Sequence, residues 1–225
     1  MEMKGKTVNF LGDSITEGSG VTDIENCRYD NRLKVMLELG KINNYGVGGS
    51  RLAHQTIPSE KPRYDQCFCG RAYEMDKDAD VVIVYGGVND YLHGDAPIGE
   101  EGDKTPATFC GGVYFLMNFL KETYPDKPIV FMTPAHCYRV DYGHDYAPST
   151  NYKKKADALP LKGYVDIIER TGKSFGIPVL NLYDKLGIDP NKREDTEKYT
   201  TDGLHLNDLG HGVIAELLAD FLRAL

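Results

Sequence analysis

At 225 residues with a net charge of -8 and a pI near 5.3, the chain is long enough to bury a core without disulfide or metal support. It is also too acidic to suit nucleic acid, and its one basic cluster, Lys153-Lys154-Lys155, sits in a polar stretch that reads as solvated surface. Cys27, Cys67, Cys69, Cys110 and Cys137 form an odd set without paired metal-type spacing, so at least one thiol stands outside any intrachain disulfide and a reducing compartment is the simpler reading.

Met1 to Val8 carries charge but no apolar run of signal-peptide length, and no later run approaches a membrane span. The expectation is a cytoplasmic protein with no membrane partner, although a secreted chain that had lost its leader would read the same. No internal repeat, low-complexity tract or interdomain linker appears, so residues 1–225 are expected to form one domain.

Taken in chain order, the first apolar, β-rich run is Thr7 to Leu11. A helical pattern through Leu33, Met36 and Leu37 follows, with a stop at Gly40, and then a second strand from Ile42 to Val47. Val81 to Tyr85 is a nearly unbroken apolar strand. Val113, Leu116, Met117 and Leu120 then share one helix face at i, i+3, i+4, i+7 spacing. Ile129 to Met132 is a second unbroken strand, Val165, Ile168 and Phe175 mark a helix ending at Gly176, and Pro178 to Leu182 is the last strand. Val213, Ile214, Leu217, Leu218, Phe221 and Leu222 repeat the helical spacing at the end.

This β, α, β, α alternation predicts an α/β fold, a parallel sheet covered by helices on both faces, with the two unbroken strands central. Three polar or irregular stretches, Ile57 to Asp78, Tyr91 to Pro106 and Pro134 to Pro160, are expected over the carboxyl edge of the sheet, where open α/β folds bind ligands.

The chemistry-bearing residues fall at strand ends. The first strand runs into Gly12-Asp13-Ser14-Ile15-Thr16-Glu17-Gly18, which puts an accessible serine hydroxyl at a strand-to-turn junction. Ser14 followed by Glu17 also fits a capping box, and taken alone the two readings are evenly matched. Gly18, Ser19 and Gly20 break a helix almost at once, so a constrained loop is expected.

The second strand ends in Gly46-Val47-Gly48-Gly49, where Gly48 is the favoured backbone donor and a plain turn the alternative. Gly86-Gly87-Val88-Asn89-Asp90 ends the third strand. It supplies an amide able to donate to a developing oxyanion, or an ordinary turn asparagine.

Asp202 and His205 stand three apart ahead of a helix start at Asn207 or Asp208, but Asp141 and His144 share that spacing, as do Asp208 and His211. Asp141 and His144 lie in a Tyr- and Gly-rich loop and His211 in the first turns of the last helix, so packing or capping roles are assigned to those histidines. In a sheet of order 2-1-3-4-5 the crevice opens between the first and third strands, where Ser14 and Asn89 face each other. Joint occurrence of a serine, a Gly-rich turn, an Asn and a late Asp and His is what favours acyl transfer over chance.

These blocks resemble the SGNH, or GDSL-type, hydrolases. The family's four named residues fall on Ser14, Gly48, Asn89 and His205, and Ile15 stands where the GDSL name has Leu. The resemblance spans nearly the whole chain. It implies a three-layer α/β/α, flavodoxin-like fold, hydrolysis of carboxylic esters without metal or organic cofactor, and support of His205 by Asp202.

On that reading Ser14 is the nucleophile, His205 the general base and Asp202 its orienter, with an oxyanion hole from the Ser14 and Gly48 N–H groups and the Asn89 amide. The Gly-x-Ser-x-Gly elbow of the larger lipase fold is absent, since Thr16 takes its final glycine position.

Among 15 tyrosines, Tyr64, Tyr73, Tyr91, Tyr138, Tyr142, Tyr146 and Tyr152 fall in the expected site loops and suit sugars, and no long apolar lid appears. The expected partner is therefore a small-molecule ester with a short acyl group, an acetylated carbohydrate first. Lysophospholipid or thioester hydrolysis, or glycan binding without turnover, are the alternatives. Oligomeric state is not indicated.

Overall fold

The computed structural model of the protein describes residues 1–139, 143–144 and 157–225. Five parallel strands, β1 (Thr7–Gly12), β2 (Lys41–Gly46), β3 (Val81–Tyr85), β4 (Ile129–Met132) and β5 (Val179–Leu180), form one sheet in the order β2-β1-β3-β4-β5. Tyr138–Arg139 and Gly143–His144 pair as a small antiparallel ribbon outside it.

The helices that matter for the site and the two layers are α1 (Ser14–Glu17), α2 (Tyr29–Met36), α3 (Val88–Leu92), α4 (Phe109–Thr123), α5 (Leu161–Phe175) and α6 (Asp208–Ala224). Alternating strand residues point to opposite faces. Val8, Phe10, Val81, Ile83, Val130 and Met132 pack with Leu33 of α2 and Ile214, Leu218 and Leu222 of α6. Leu11, Val82, Val84, Ile129 and Phe131 pack on the other face with Val113, Leu116 and Leu120 of α4 and Ile168 of α5. The result is the expected three-layer α/β/α arrangement, each fully buried apolar side chain contributing roughly 1.5–3 kcal/mol.

Two elements end earlier than their apolar runs. α2 stops at Met36 rather than running to Gly40, because Glu38 takes a left-handed φ of 50° that no helix continues through. β5 shrinks to two residues because Asn181 turns to cap the next helical segment, its Oδ1 accepting the Asp184 N–H at 2.9 Å.

The register of the sheet fixes the site's geometry. Gly12 lies opposite both Gly46 of β2 and Tyr85 of β3, so three chains leave the sheet at one level. α1 folds tightly over those ends: a Cβ on Gly12 would meet Thr16 Oγ1 at 1.9 Å, and one on Gly46 would meet the Glu17 backbone N at 2.2 Å. Both positions therefore require glycine for close approach. Among the described residues, no helix is long and apolar enough to cross a membrane.

Candidate active site

Ser14 opens α1 instead of lying in a loop. Asp13, not Ser14, is the cap, its Oδ1 accepting the Ile15 N–H at 3.0 Å. Gly18, left-handed at φ 108°, closes the helix after a single turn. The capping-box reading of Ser14 and Glu17 is thereby overturned, and the Ser14 hydroxyl is released for another partner. That partner is His205, whose Nε2 lies 2.9 Å from Ser14 Oγ across 191 residues of sequence.

His205 is oriented from behind. Its Nδ1 lies 2.8 Å from Asp202 Oδ2, while Asp202 Oδ1 accepts the backbone N–H groups of His205 at 2.7 Å and Leu204 at 3.0 Å. A carboxylate only accepts, so Nδ1 carries the proton and Nε2 presents its lone pair to the Ser14 hydroxyl. Burial works to raise the Asp202 pKa, but the hydrogen bonds from the His205 ring and the two backbone amides outweigh it and hold the carboxyl well below the ordinary carboxylate range.

The Asp208 and His211 pair does not assemble this way. Asp208 accepts from Thr22, while His211 is fully buried against Tyr29, its Nδ1 accepting the Tyr29 N–H at 3.2 Å. His211 thus has the packing role its place in a helix implies. Asp141 and the side chain of His144 lie outside the described residues, as do Tyr142, Tyr146, Tyr152 and the Lys153-Lys154-Lys155 cluster.

Gly48 lies beside the serine. A Cβ on Gly48 would lie 3.5 Å from Ser14 Cβ, yet the Gly48 N–H is taken, donating to Glu17 Oε2 at 2.9 Å. Glu17 is also paired with Arg63, and both side chains reach solvent. Asn89, on α3, is 4 % exposed. Its Nδ2 donates to the Ser50 carbonyl at 3.0 Å and its Oδ1 lies 2.9 Å from His93 Nε2.

Of the loop tyrosines, Tyr64 packs against Gly49, whose Cβ would meet its ring at 2.6 Å. Tyr73 instead lies on Phe119 of α4, and Tyr91 is buried in α3 against Tyr164, so neither walls the site.

The sequence from residue 10 to 213 matches the model of the GDSL-like Lipase/Acylhydrolase family. The chain belongs to that family. No curated protein matches the sequence. Among solved structures, a protein of Lactobacillus plantarum is 30% identical with a TM-score of 0.81, the match covering 99% of this chain and 98% of that one. A lipase/acylhydrolase from Enterococcus faecalis, 19% identical, shares the fold at a TM-score of 0.60 over 97% of this chain and 96% of its own. A two-domain esterase active on acetylated mannans, 17% identical, shares it at 0.61 over 99% of this chain and 49% of its own. As a GDSL-like acylhydrolase, the protein is a hydrolase of esters.

Several residues that support the hydrolase's site carry no local sequence signal. Arg71 donates to the carbonyls of Gly12 at 3.0 Å and Tyr45 and to Ser50 Oγ at 2.8 Å, so one guanidinium ties the ends of β1 and β2 to the turn after β2. Asp90 accepts the N–H groups of Leu52 at 2.9 Å and Ala53 at 3.0 Å, fastening α3 to the same segment. An isolated Arg or Asp far from a motif gives sequence reasoning nothing to act on. Only the adjacency of β2, β1 and β3 makes them neighbours.

Asp13 is 1 % exposed, and burial pushes its pKa up to about 6 against the pull of the Ile15 amide and the Arg71 cation. Because this carboxyl is raised in the folded state, its contribution to stability is complete below its ordinary value of 3.8 and lost as pH rises through about 6. Asp13→Asn, which keeps the capping oxygen, is expected to gain stability over wild type as pH rises from about 4 to about 7.5, by up to about 3 kcal/mol at neutral pH. Urea midpoints at the two pH values check this; an advantage independent of pH overturns it.

Proposed function

We propose that this hydrolase is a serine esterase acting through an acyl-enzyme, with Ser14 as nucleophile, His205 as general base and Asp202 as its orienter. The 2.9 Å contact between Ser14 Oγ and His205 Nε2 carries the reading. Ser14 attacks the ester carbonyl as His205 takes its proton, and ionised Asp202 stabilises the imidazolium that forms. His205 then protonates the departing alcohol and activates water to free the acyl group from Ser14.

The developing oxyanion is held by the Ser14 and Gly48 N–H groups and the Asn89 amide. As in any helix, the first-turn amides of α1, Ser14's included, have no intrahelical acceptor. At Gly48 the substrate oxygen takes the place of the Glu17 carboxylate. A carboxylate beside an oxyanion is repulsive, so Glu17 turns outward. Its pairing with Arg63 is partly solvent-exposed and therefore opens at a cost of about 1 kcal/mol or less.

The favoured substrate is a short-chain, acetyl-type ester of a carbohydrate or another small polar molecule. Two cavities support it. One of about 10 Å³, with His136 in an otherwise largely apolar wall that includes Ile15, Val88, Leu204 and Leu206, lies next in sequence to Ser14, Asn89 and His205 and leaves little room for a long acyl chain. A larger one of about 380 Å³, with Arg51, Gln55, Lys61, Tyr64, His93 and Asp95 in its wall, offers polar groups to the alcohol portion. The same fold serves an esterase active on acetylated mannans.

Ser14→Ala is expected to lower kcat on p-nitrophenyl acetate by about a thousandfold or more, and a fluorophosphonate should label Ser14 alone by mass mapping. Full activity in that variant overturns the assignment. Because Asp202 stays ionised to low pH, its protonation should add no second acid limb to kcat/KM; a second acid limb would place Asp202 elsewhere. Acetyl esters should be turned over faster than octanoyl esters of p-nitrophenol, and a strong octanoyl preference counts against the short-chain substrate.

A further inference from the structure

Resting on the oxyanion-hole reading above, we propose that His93 is a positioning residue for the reaction, fixing and polarising the Asn89 amide that receives the oxyanion. Donor and acceptor polarity sets the direction of a chain of four groups. The Ser50 carbonyl only accepts, so the atom of Asn89 that faces it at 3.0 Å is Nδ2, and the amide has one orientation. Oδ1 then faces His93 Nε2 at 2.9 Å and requires a donor, so Nε2 carries the imidazole proton. His93 Nδ1, left with its lone pair, accepts from the Arg51 guanidinium, which only donates. Each link permits one direction. Proton donation runs from Arg51 through His93 to Asn89.

The arrangement has two consequences for Asn89. With Oδ1 held by His93 and one Nδ2 hydrogen held by Ser50, the amide plane is fixed, and the second Nδ2 hydrogen remains for the substrate. A fixed donor needs no reorganisation when charge develops on the carbonyl oxygen. Donation into Oδ1 from an imidazole that itself accepts from a cation also withdraws electron density from the amide, making its remaining N–H a stronger donor.

Arg51 is itself held in place. It is 4 % exposed, donates to the Tyr64 carbonyl at 2.9 Å and lies 3.8 Å from Asp65. The spacing between His93 and Asn89 is equally specific. His93, the residue that caps α3, follows Asn89 by four residues, the helical interval that brings two side chains together on one face.

Steady-state kinetics on p-nitrophenyl acetate tests the assignment. His93→Ala and His93→Phe, the second keeping a ring without a donor, should each lower kcat by about tenfold with KM little changed. His93→Gln, whose side-chain amide can donate to Asn89 Oδ1, should recover most of the loss. In an Asn89→Ala background, itself slower by about a hundredfold, His93→Phe should cost less than about twofold more, since it acts only through Asn89.

A tenfold loss that persists in the Asn89→Ala background, or unchanged kcat in both His93→Ala and His93→Phe, overturns the proposal alone. Unchanged turnover in Asn89→Ala overturns the oxyanion-hole reading and the role of His93 with it. Urea midpoints measured alongside separate a loss of folded protein from a loss of turnover. His93→Gln with wild-type stability but the full kinetic loss also counts against the proposal.

Discussion

The site depends first on a matter of register: β1 lies between β2 and β3, with Gly12 level with Gly46 on one side and Tyr85 on the other. Parallel strands all end on the same edge, and when three neighbours end at the same height their turns must share one small region. Ser14, Gly48 and Asn89 are the second residue after β1, the second after β2 and the fourth after β3. Their convergence needs no long-range loop design; it follows from strand order. His205 is the member that does not. It reaches the serine from the segment before α6, and the Asp202 bonds to its ring and backbone give that segment its shape.

Strand ends alone leave turns loose, and the structure compensates with charged braces beneath them. Arg71 binds acceptors from three segments at once, while Asp90 ties α3 to residues 52 and 53. Burial lowers the Arg71 pKa to about 10, which still leaves it a cation at neutral pH. Asp13 lies within its field and is pushed the other way by burial, so the cation and the carboxyl partly offset each other's desolvation. The apolar layers on both faces of the sheet stabilise the fold enough to carry these groups.

What can be read from the sequence divides along the same line. Strand order, the central strands and the meeting of Ser14 with Asp202 and His205 are legible, because hydrophobic periodicity fixes the layers and Ser14 sits beside a Gly-rich strand end. The packing role of His211 is also legible, since it falls in the first turns of the last helix and lies buried against Tyr29. The helical character of residues 14–17 is not, because Asp13 rather than Ser14 supplies the cap and the glycines that suggest a loop in fact close a one-turn helix. The occupation of Gly48 by Glu17, the contacts of Arg71 and the contact of Arg51 with His93 are invisible for a different reason. They join segments separated by up to 59 residues, and no local pattern encodes such a pairing.

Those unseen contacts give the partners of Gly48 and of Asn89 a common anchor. Pro62–Asp65 is a single 3-10 turn. From it Arg63 holds the Glu17 carboxylate that occupies the Gly48 N–H, and the Tyr64 carbonyl and Asp65 hold Arg51, which donates to His93 and so reaches Asn89. Tyr64 also packs its ring on Gly49, beside the first donor. A displacement of this turn therefore moves the partners of Gly48 and of Asn89 together, whereas the contact between Ser14 and His205 is fixed by α1 and by Asp202. The contact between Ser14 and His205 is set by one part of the fold, and the partners of Gly48 and Asn89 by another. For that reason substitutions in residues 62–65 bear on the donors without disturbing the contact between serine and imidazole.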